Sequence, residues 1–158
     1  VFDLVVAIEF RLLAAAFLFI KRMVDVTYIR PWTYVDEKNL SEENRLKPVP
    51  PKTQVYEIDG PMFFATSDKI ASIPIKRGIK IIILRMRNIP AIDASALRAI
   101  EGVYDYCQKR GITLLFSHVN EQPLAAMQKA NFYEKVGEEN FLENIDEALE
   151  YAEKLAND

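Results

Sequence analysis

Ile79-Lys80-Ile81-Ile82-Ile83-Leu84-Arg85-Met86-Arg87-Asn88-Ile89-Pro90-Ala91-Ile92-Asp93-Ala94-Ser95-Ala96-Leu97-Arg98-Ala99-Ile100-Glu101 joins an apolar run, a proline turn, an acidic cap and the start of an amphipathic helix. Ile81 to Leu84 are consecutive and three of them are β-branched. A short unbroken run of that kind suits a strand covered on both faces, as in a parallel sheet. Asn88, Pro90 and the loss of periodicity make residues 87–92 a loop. Asp93 stands where an N-cap belongs, its carboxylate able to accept from the unpaired N–H groups of the next turn. Leu97, Ile100, Tyr104 and Cys107 follow at three- and four-residue spacing, one apolar stripe on a helix over residues 94–110. Gly111 suits the C′ position that ends it. Interest therefore falls on Ile92-Asp93-Ala94-Ser95-Ala96-Leu97, where the carboxyl edge of a sheet meets a helix N-terminus.

Working outward, residues 54–59 read as a strand, Gly60-Pro61 as a turn and Met62-Phe63-Phe64 as a second short strand. Thr66-Ser67-Asp68 offers caps for a helix that runs through Ala71 and is limited by Pro74. Beyond the central helix, residues 112–116 are another buried strand. Gln122-Pro123 opens a further helix, with Pro123 suited to its first position. Phe141-Leu142 reads as a short edge strand. Asn144 caps a last helix, with Asp146 and Glu147 in the first turn, where the dipole favours them, and Ile145, Leu149, Ala152 and Leu155 as its apolar stripe. Strands alternating with helices imply an α/β domain with parallel pairing. Ligand sites in such sheets lie beyond the carboxyl ends of the strands, which again selects the loop before Ser95.

The first twenty residues differ in kind. Between Leu4 and Ile20 only Glu9 and Arg11 are charged, and Lys21-Arg22 follows. The run predicts either a core helix or a last transmembrane helix, residues 1–22, and the second reading is the one adopted. Its basic residues follow the apolar run instead of preceding it, unlike a signal peptide. Lys21, Arg22 and Arg30 would place the rest of the chain on the cytoplasmic side. Val1 is no start methionine, so the chain reads as cut from something longer. Residues 23–51, with charged runs around Asp36 and Glu42 and the prolines Pro48, Pro50 and Pro51, read as a linker.

The 158 residues suffice for one domain with an appendage, and half of them are hydrophobic, enough for a core. A net charge of −3 argues against a general nucleic-acid binder. A lone cysteine, Cys107, excludes an internal disulfide and reads as a buried small hydrophobe. A single histidine, His118, excludes multi-histidine metal sites. No glycine-rich phosphate loop, nucleophile elbow or cysteine pair is present. A serine–histidine set could be built only from Ser95 or Ser117 with His118, and the reading is no catalytic residue, no metal and no cofactor. Tyr104, Tyr106, Phe132 and Tyr133 read as core and core-edge aromatics. Arg85 and Arg87 bring cations near the loop, where they could attract an anion. Ser95 is the informative hydroxyl: it lies in a helix's first turn, where an added phosphate is favoured, and equally it can be a serine that supports the cap.

Val55-Tyr56-Glu57-Ile58-Asp59-Gly60-Pro61-Met62-Phe63-Phe64-Ala65, followed by residues 84–97, resembles the STAS domain of SulP-family anion permeases, the sulfate transporters and their relatives. Residues 1–23 resemble the final membrane helix that precedes that domain. The resemblance implies a small mixed, largely parallel sheet with helices packed on it over residues 52–158. It implies a cytoplasmic regulatory and interaction domain of an inner-membrane anion transporter. Its partners would be the transporter's own membrane domain and a cytosolic protein, with a nucleotide or anion as candidate ligand near Phe64, Ala65, Thr66, Ala94, Ser95, Ala96 and Leu97. STAS domains also serve as anti-sigma-factor antagonists, in which Asp-Ser-Ser-Gly carries a regulatory phosphoserine. Ser95 matches that serine by position, with Ala94 in place of the first serine and Ala96 in place of glycine. A freestanding switch of that type, or a nucleotide-binding domain, is the rival reading, and the apolar first helix discriminates against the switch.

Overall fold

The structure, a computed structural model, describes residues 2–32 and 48–157. In chain order its elements are α1 (Phe2–Asp25), β1 (Tyr28–Pro31), β2 (Thr53–Asp59), α2 (Ser67–Ala71), β3 (Ile81–Asn88), α3 (Ala94–Lys109), β4 (Thr113–Ser117), α4 (Glu121–Lys129), α5 (Phe132–Val136), β5 (Phe141–Leu142) and α6 (Ile145–Asn157). Val1 and the charged runs of the expected linker lie outside the described residues.

The five strands form one sheet in the order β1-β2-β3-β4-β5. The β2–β3, β3–β4 and β4–β5 pairs are parallel, and β1 lies antiparallel to β2. β3 is central because its apolar run is buried on both faces. Ile82, Leu84 and Met86 enter the larger layer, with α3 and residues of α2, α4 and α5. Ile81 and Ile83 enter a smaller layer, with Val55, Leu115 and the apolar stripe of α6. All five of these β3 side chains are buried, as the parallel-sheet reading requires. Phe132 of α5 is fully buried, with Tyr104 and Phe116 each edge-on to it at 5.7 and 5.9 Å. α6 starts as its sequence directs. The Asn144 Oδ1 accepts from the Glu147 N–H at 3.0 Å, and the Glu147 carboxylate accepts from the Glu143 backbone N–H at 3.3 Å, a reciprocal arrangement that satisfies two otherwise orphaned groups.

Four expectations are corrected. Met62-Phe63-Phe64 is no second strand: Met62 makes one parallel bridge to Ile92, and Phe64–Thr66 is a 3-10 turn. Part of the expected linker, Tyr28–Pro31, is the edge strand β1, held to β2 by backbone pairing and by an Arg30–Asp59 ion pair at 3.0 Å. Pro123 occupies the third position of α4 instead of the first, tolerable because that N–H also has no partner within the helix. Tyr106 is exposed, with the Arg110 guanidinium 4.5 Å above its ring.

α1 needs a fifth correction. Among the described residues, no helix is long and apolar enough to cross a membrane. The stretch carrying only two charges is 17 residues, and Asp3 and Lys21 bound it. The helix nevertheless leaves Leu4, Phe10, Leu12, Phe17 and Leu18 each two-thirds or more exposed.

Candidate functional site

β3 leaves the sheet at Asn88, and the loop beyond it is held from three sides. Ile89 and Ile92 plug into the core from within it. The Met62 N–H donates to the Ala91 carbonyl at 3.0 Å, and the Asp93 N–H donates back to the Met62 carbonyl at 3.1 Å. From α4's start, the Asn120 side-chain amide donates to the carbonyls of Arg87 and Ile89 at 2.9 and 2.7 Å. Gln122 both accepts from the Ile92 N–H at 2.8 Å and donates to the Ile92 carbonyl at 3.2 Å. Sequence reasoning missed Asn120 and Gln122. Polar side chains opening a helix after a strand carry no local mark of which loop they will clamp.

Asp93 ends the loop in extended backbone and caps α3. One carboxylate oxygen accepts from the Ala96 N–H at 2.8 Å, and the Asp93 carbonyl takes the Leu97 N–H at 3.0 Å. The other carboxylate oxygen accepts from the Phe64 N–H at 2.9 Å. One acid thus joins the start of α3 to the start of the 3-10 turn. Thr66 closes that turn: its buried hydroxyl accepts from the Phe63 N–H at 3.1 Å and donates to the Phe63 carbonyl at 2.8 Å.

Phe64, Thr66, Asp93 and Ala96 therefore meet in one hydrogen-bonded junction. Of the remaining residues expected here, Ala94 and Ser95 are exposed, Ala65 is half-buried, and Ala96 and Leu97 point inward. The Ala96 and Leu97 N–H groups are engaged by Asp93, so an anion approaching this terminus meets a carboxylate already in place. A cavity of about 370 Å³ lies alongside, walled by Phe19 and Ile20 of α1 together with Pro61, Phe63, Phe64 and Asp93. Its walls are overwhelmingly apolar.

Of the cations and nucleophiles considered for chemistry, Ser95 lies at this junction and Arg87 is exposed near the end of β3, and the others are placed elsewhere. Arg85 turns to the α6 side of the sheet and is paired with Glu57 at 2.9 Å. Ser117 is fully buried, its hydroxyl without a hydrogen-bond partner among the described residues, whereas the neighbouring His118 is exposed and in left-handed backbone. Burial pushes the Cys107 thiol up to about 11, the opposite of what a nucleophile needs. Among the described residues, no group of histidine, cysteine, aspartate or glutamate could hold a metal ion. What the junction can do is hold a loop and a helix start in one fixed relation, and present Ser95 at their edge.

A protein-family model described as the STAS domain matches residues 44–148. This chain belongs to the STAS domain family. A crystal structure of a sulfate transporter family protein from Wolinella succinogenes is 36% identical, with a TM-score of 0.68, covering 78% of this chain and 100% of that one. The SulP transporter STAS domain from Vibrio cholerae is 28% identical, with a TM-score of 0.60, over 73% of this chain and 91% of its own. Among curated proteins, the putative sulfate transporter YvdB of Bacillus subtilis is 26% identical over 149 residues, 92% of this chain and 27% of that protein. Within the family, the chain therefore groups with the STAS domains of sulfate transporters. It spans about a quarter of the length of that curated relative.

Proposed function

We propose that this STAS domain is the cytoplasmic regulatory and interaction domain of a SulP-type anion permease of the cell inner membrane, and that it acts by docking, without catalysis. The likeness to the sulfate transporter family protein of Wolinella succinogenes, at 36% identity over all of that chain, supports this most directly. In this reading residues 52–158 form the regulatory domain, residues 23–51 join it to the membrane part, and residues 1–22 meet that part. The apolar surface of α1 supports the arrangement, because exposed apolar area of that extent needs a cover. The proposed cover is the membrane part of the same permease. A freestanding anti-sigma-factor antagonist has no use for such a helix.

The proposed docking surface is the loop 89–93 with the first turn of α3. Ser95 stands on it, exposed. A cytosolic protein that reads this edge is the second proposed partner. An anion or nucleotide phosphate, as ligand, would bind at the Ala94 and Ser95 N–H groups beside Phe64–Thr66.

The test is made in the parent permease, with Ser95→Asp and Ser95→Ala, by measuring anion uptake beside the protein's level in the membrane. A negative charge at a helix N-terminus is tolerated, so both variants should fold and reach the membrane. Uptake altered at unchanged level is the expected result. Uptake equal to wild type in both variants would remove the surface from the proposal.

A further inference from the structure

We propose that Thr27 is a locked joint through which the orientation of α1 is passed to the Asp93 junction. Thr27 is the second residue beyond α1, after Val26, and is 1% exposed, although α1 itself is bare. Its hydroxyl donates to the Pro61 carbonyl at 2.8 Å. Its own carbonyl accepts from the Lys69 ammonium of α2 at 2.7 Å. Gly60 makes the approach possible: a Cβ there would lie 3.0 Å from both the Thr27 hydroxyl and the Val26 carbonyl, and the backbone is in the left-handed region at φ +93°. Two chain segments meet so closely that only glycine fits between them.

The turn that grips Thr27 is also the turn that Asp93 grips. The Gly60 N–H donates to the Asn88 carbonyl at 3.1 Å, Met62 is bonded both ways to the loop before α3, and the Phe64 N–H ends on the Asp93 carboxylate. The route from α1 to α3 thus runs through Thr27, its hydrogen bond to Pro61, the peptide bond from Pro61 to Met62, and the hydrogen bond from the Asp93 N–H to the Met62 carbonyl. On the other side of the pivot stands the apolar cavity between Phe19-Ile20 and Phe63-Phe64. α1 has room to tilt toward the domain there, and none at Thr27. A tilt therefore becomes a pull on the 60–64 turn, which Asp93 carries to the first turn of α3. The joint works in this way whatever covers α1.

The whole chain, kept in detergent micelles, is probed by amide hydrogen exchange, with Thr27→Val to remove the hydroxyl at constant shape and Gly60→Ala to force the segments apart. The joint predicts faster exchange of the Phe64 and Ala96 amides by about three- to tenfold, the range of one lost hydrogen bond. Ile83 and Leu115 in the core should be unchanged, because local opening is separable from global unfolding. Thr27→Ser, which keeps the donor, should exchange like the wild type. Unchanged Phe64 and Ala96 amides would overturn the proposal. So would a uniform acceleration that includes Ile83 and Leu115, which would make Thr27 a general stabiliser, or a Thr27→Ser variant that behaves like Thr27→Val.

Discussion

At the scale of single residues, Asp93 shows how one side chain can fix two segments. Its two oxygens accept from Ala96 and Phe64 separately, so the cap of α3 is also the tether of the 3-10 turn. Asp93→Ala should lower stability by about 1–3 kcal/mol, the loss of a cap and of a second bond to a charged acceptor. Asp93→Asn keeps the oxygen that faces Ala96 and should lose less. Urea titration of the three proteins checks both statements. Cys107 gives a pH-dependent counterpart. Its thiol is buried and ionises in the native state only near pH 11, against an ordinary value of 9.0. Burial raises the folded value, so the stability it contributes is complete below pH 9 and is lost as pH rises through about 11. At pH 8 a thiol reagent should label native Cys107 only at the rate of opening, and labelling should become fast in denaturing urea.

At the scale of elements, the legible parts were those whose patterns are long enough to exclude alternatives. Four apolar residues in a row fix β3. Asp93 and the stripe from Leu97 to Cys107 fix α3, which ends at Lys109 with Gly111 at φ +64° beyond it. β1 could not be read, because four residues exposed except for Ile29 show no alternation and their partner strand is more than twenty residues away. α5 was missed for a related reason. Five residues after Asn131, itself in left-handed backbone, are fewer than two helical turns, too few for a period to show. The 62–64 stretch misled because apolar residues beside a strand look alike whether they form a ladder or a single bridge. Within the candidate site, Asp93 was legible by its place and Ser95 by its turn; the clamp from Asn120 and Gln122 is tertiary. α3 also carries a testable weakness. Gly102 lies in the helix interior, exposed, with nothing within 4 Å of where a Cβ would be. Gly102→Ala should therefore stabilise the domain by about 0.5–1 kcal/mol, read as a higher urea midpoint at unchanged slope.

At the scale of the whole molecule, two different things lie before the parallel sheet, and they separate by truncation. α1 is apolar and bare, so the full chain should self-associate or require detergent. A chain beginning at Val26 keeps Thr27, β1 and Trp32, whose N–H donates to the Val55 carbonyl at 2.8 Å, and should be monodisperse in plain buffer. A chain beginning at Pro48 loses β1 and leaves the edge of β2 unpaired. It should be soluble as well, with a lower urea midpoint than the Val26 chain. Sedimentation and urea titration distinguish the three. A full chain that is monomeric in plain buffer would show that α1 is covered by its own domain.

The strand order across the sheet is the order along the chain, and this bears on how the protein is made. As the ribosome releases it, each strand finds its neighbour already out, and none has to insert between two that are paired. The larger layer can be closed helix by helix behind the growing sheet. The smaller layer cannot, because most of its cover is α6, with Trp32, Val49 and Leu142 only at its margin. Val55, Ile81, Ile83 and Leu115 must wait for that cover while the chain after Ser117 is translated as far as Asn157, roughly 2–8 s at ordinary rates of synthesis. A nascent chain halted at Asn144 should thus offer that face to a chaperone, and release of the α6 segment should end the contact.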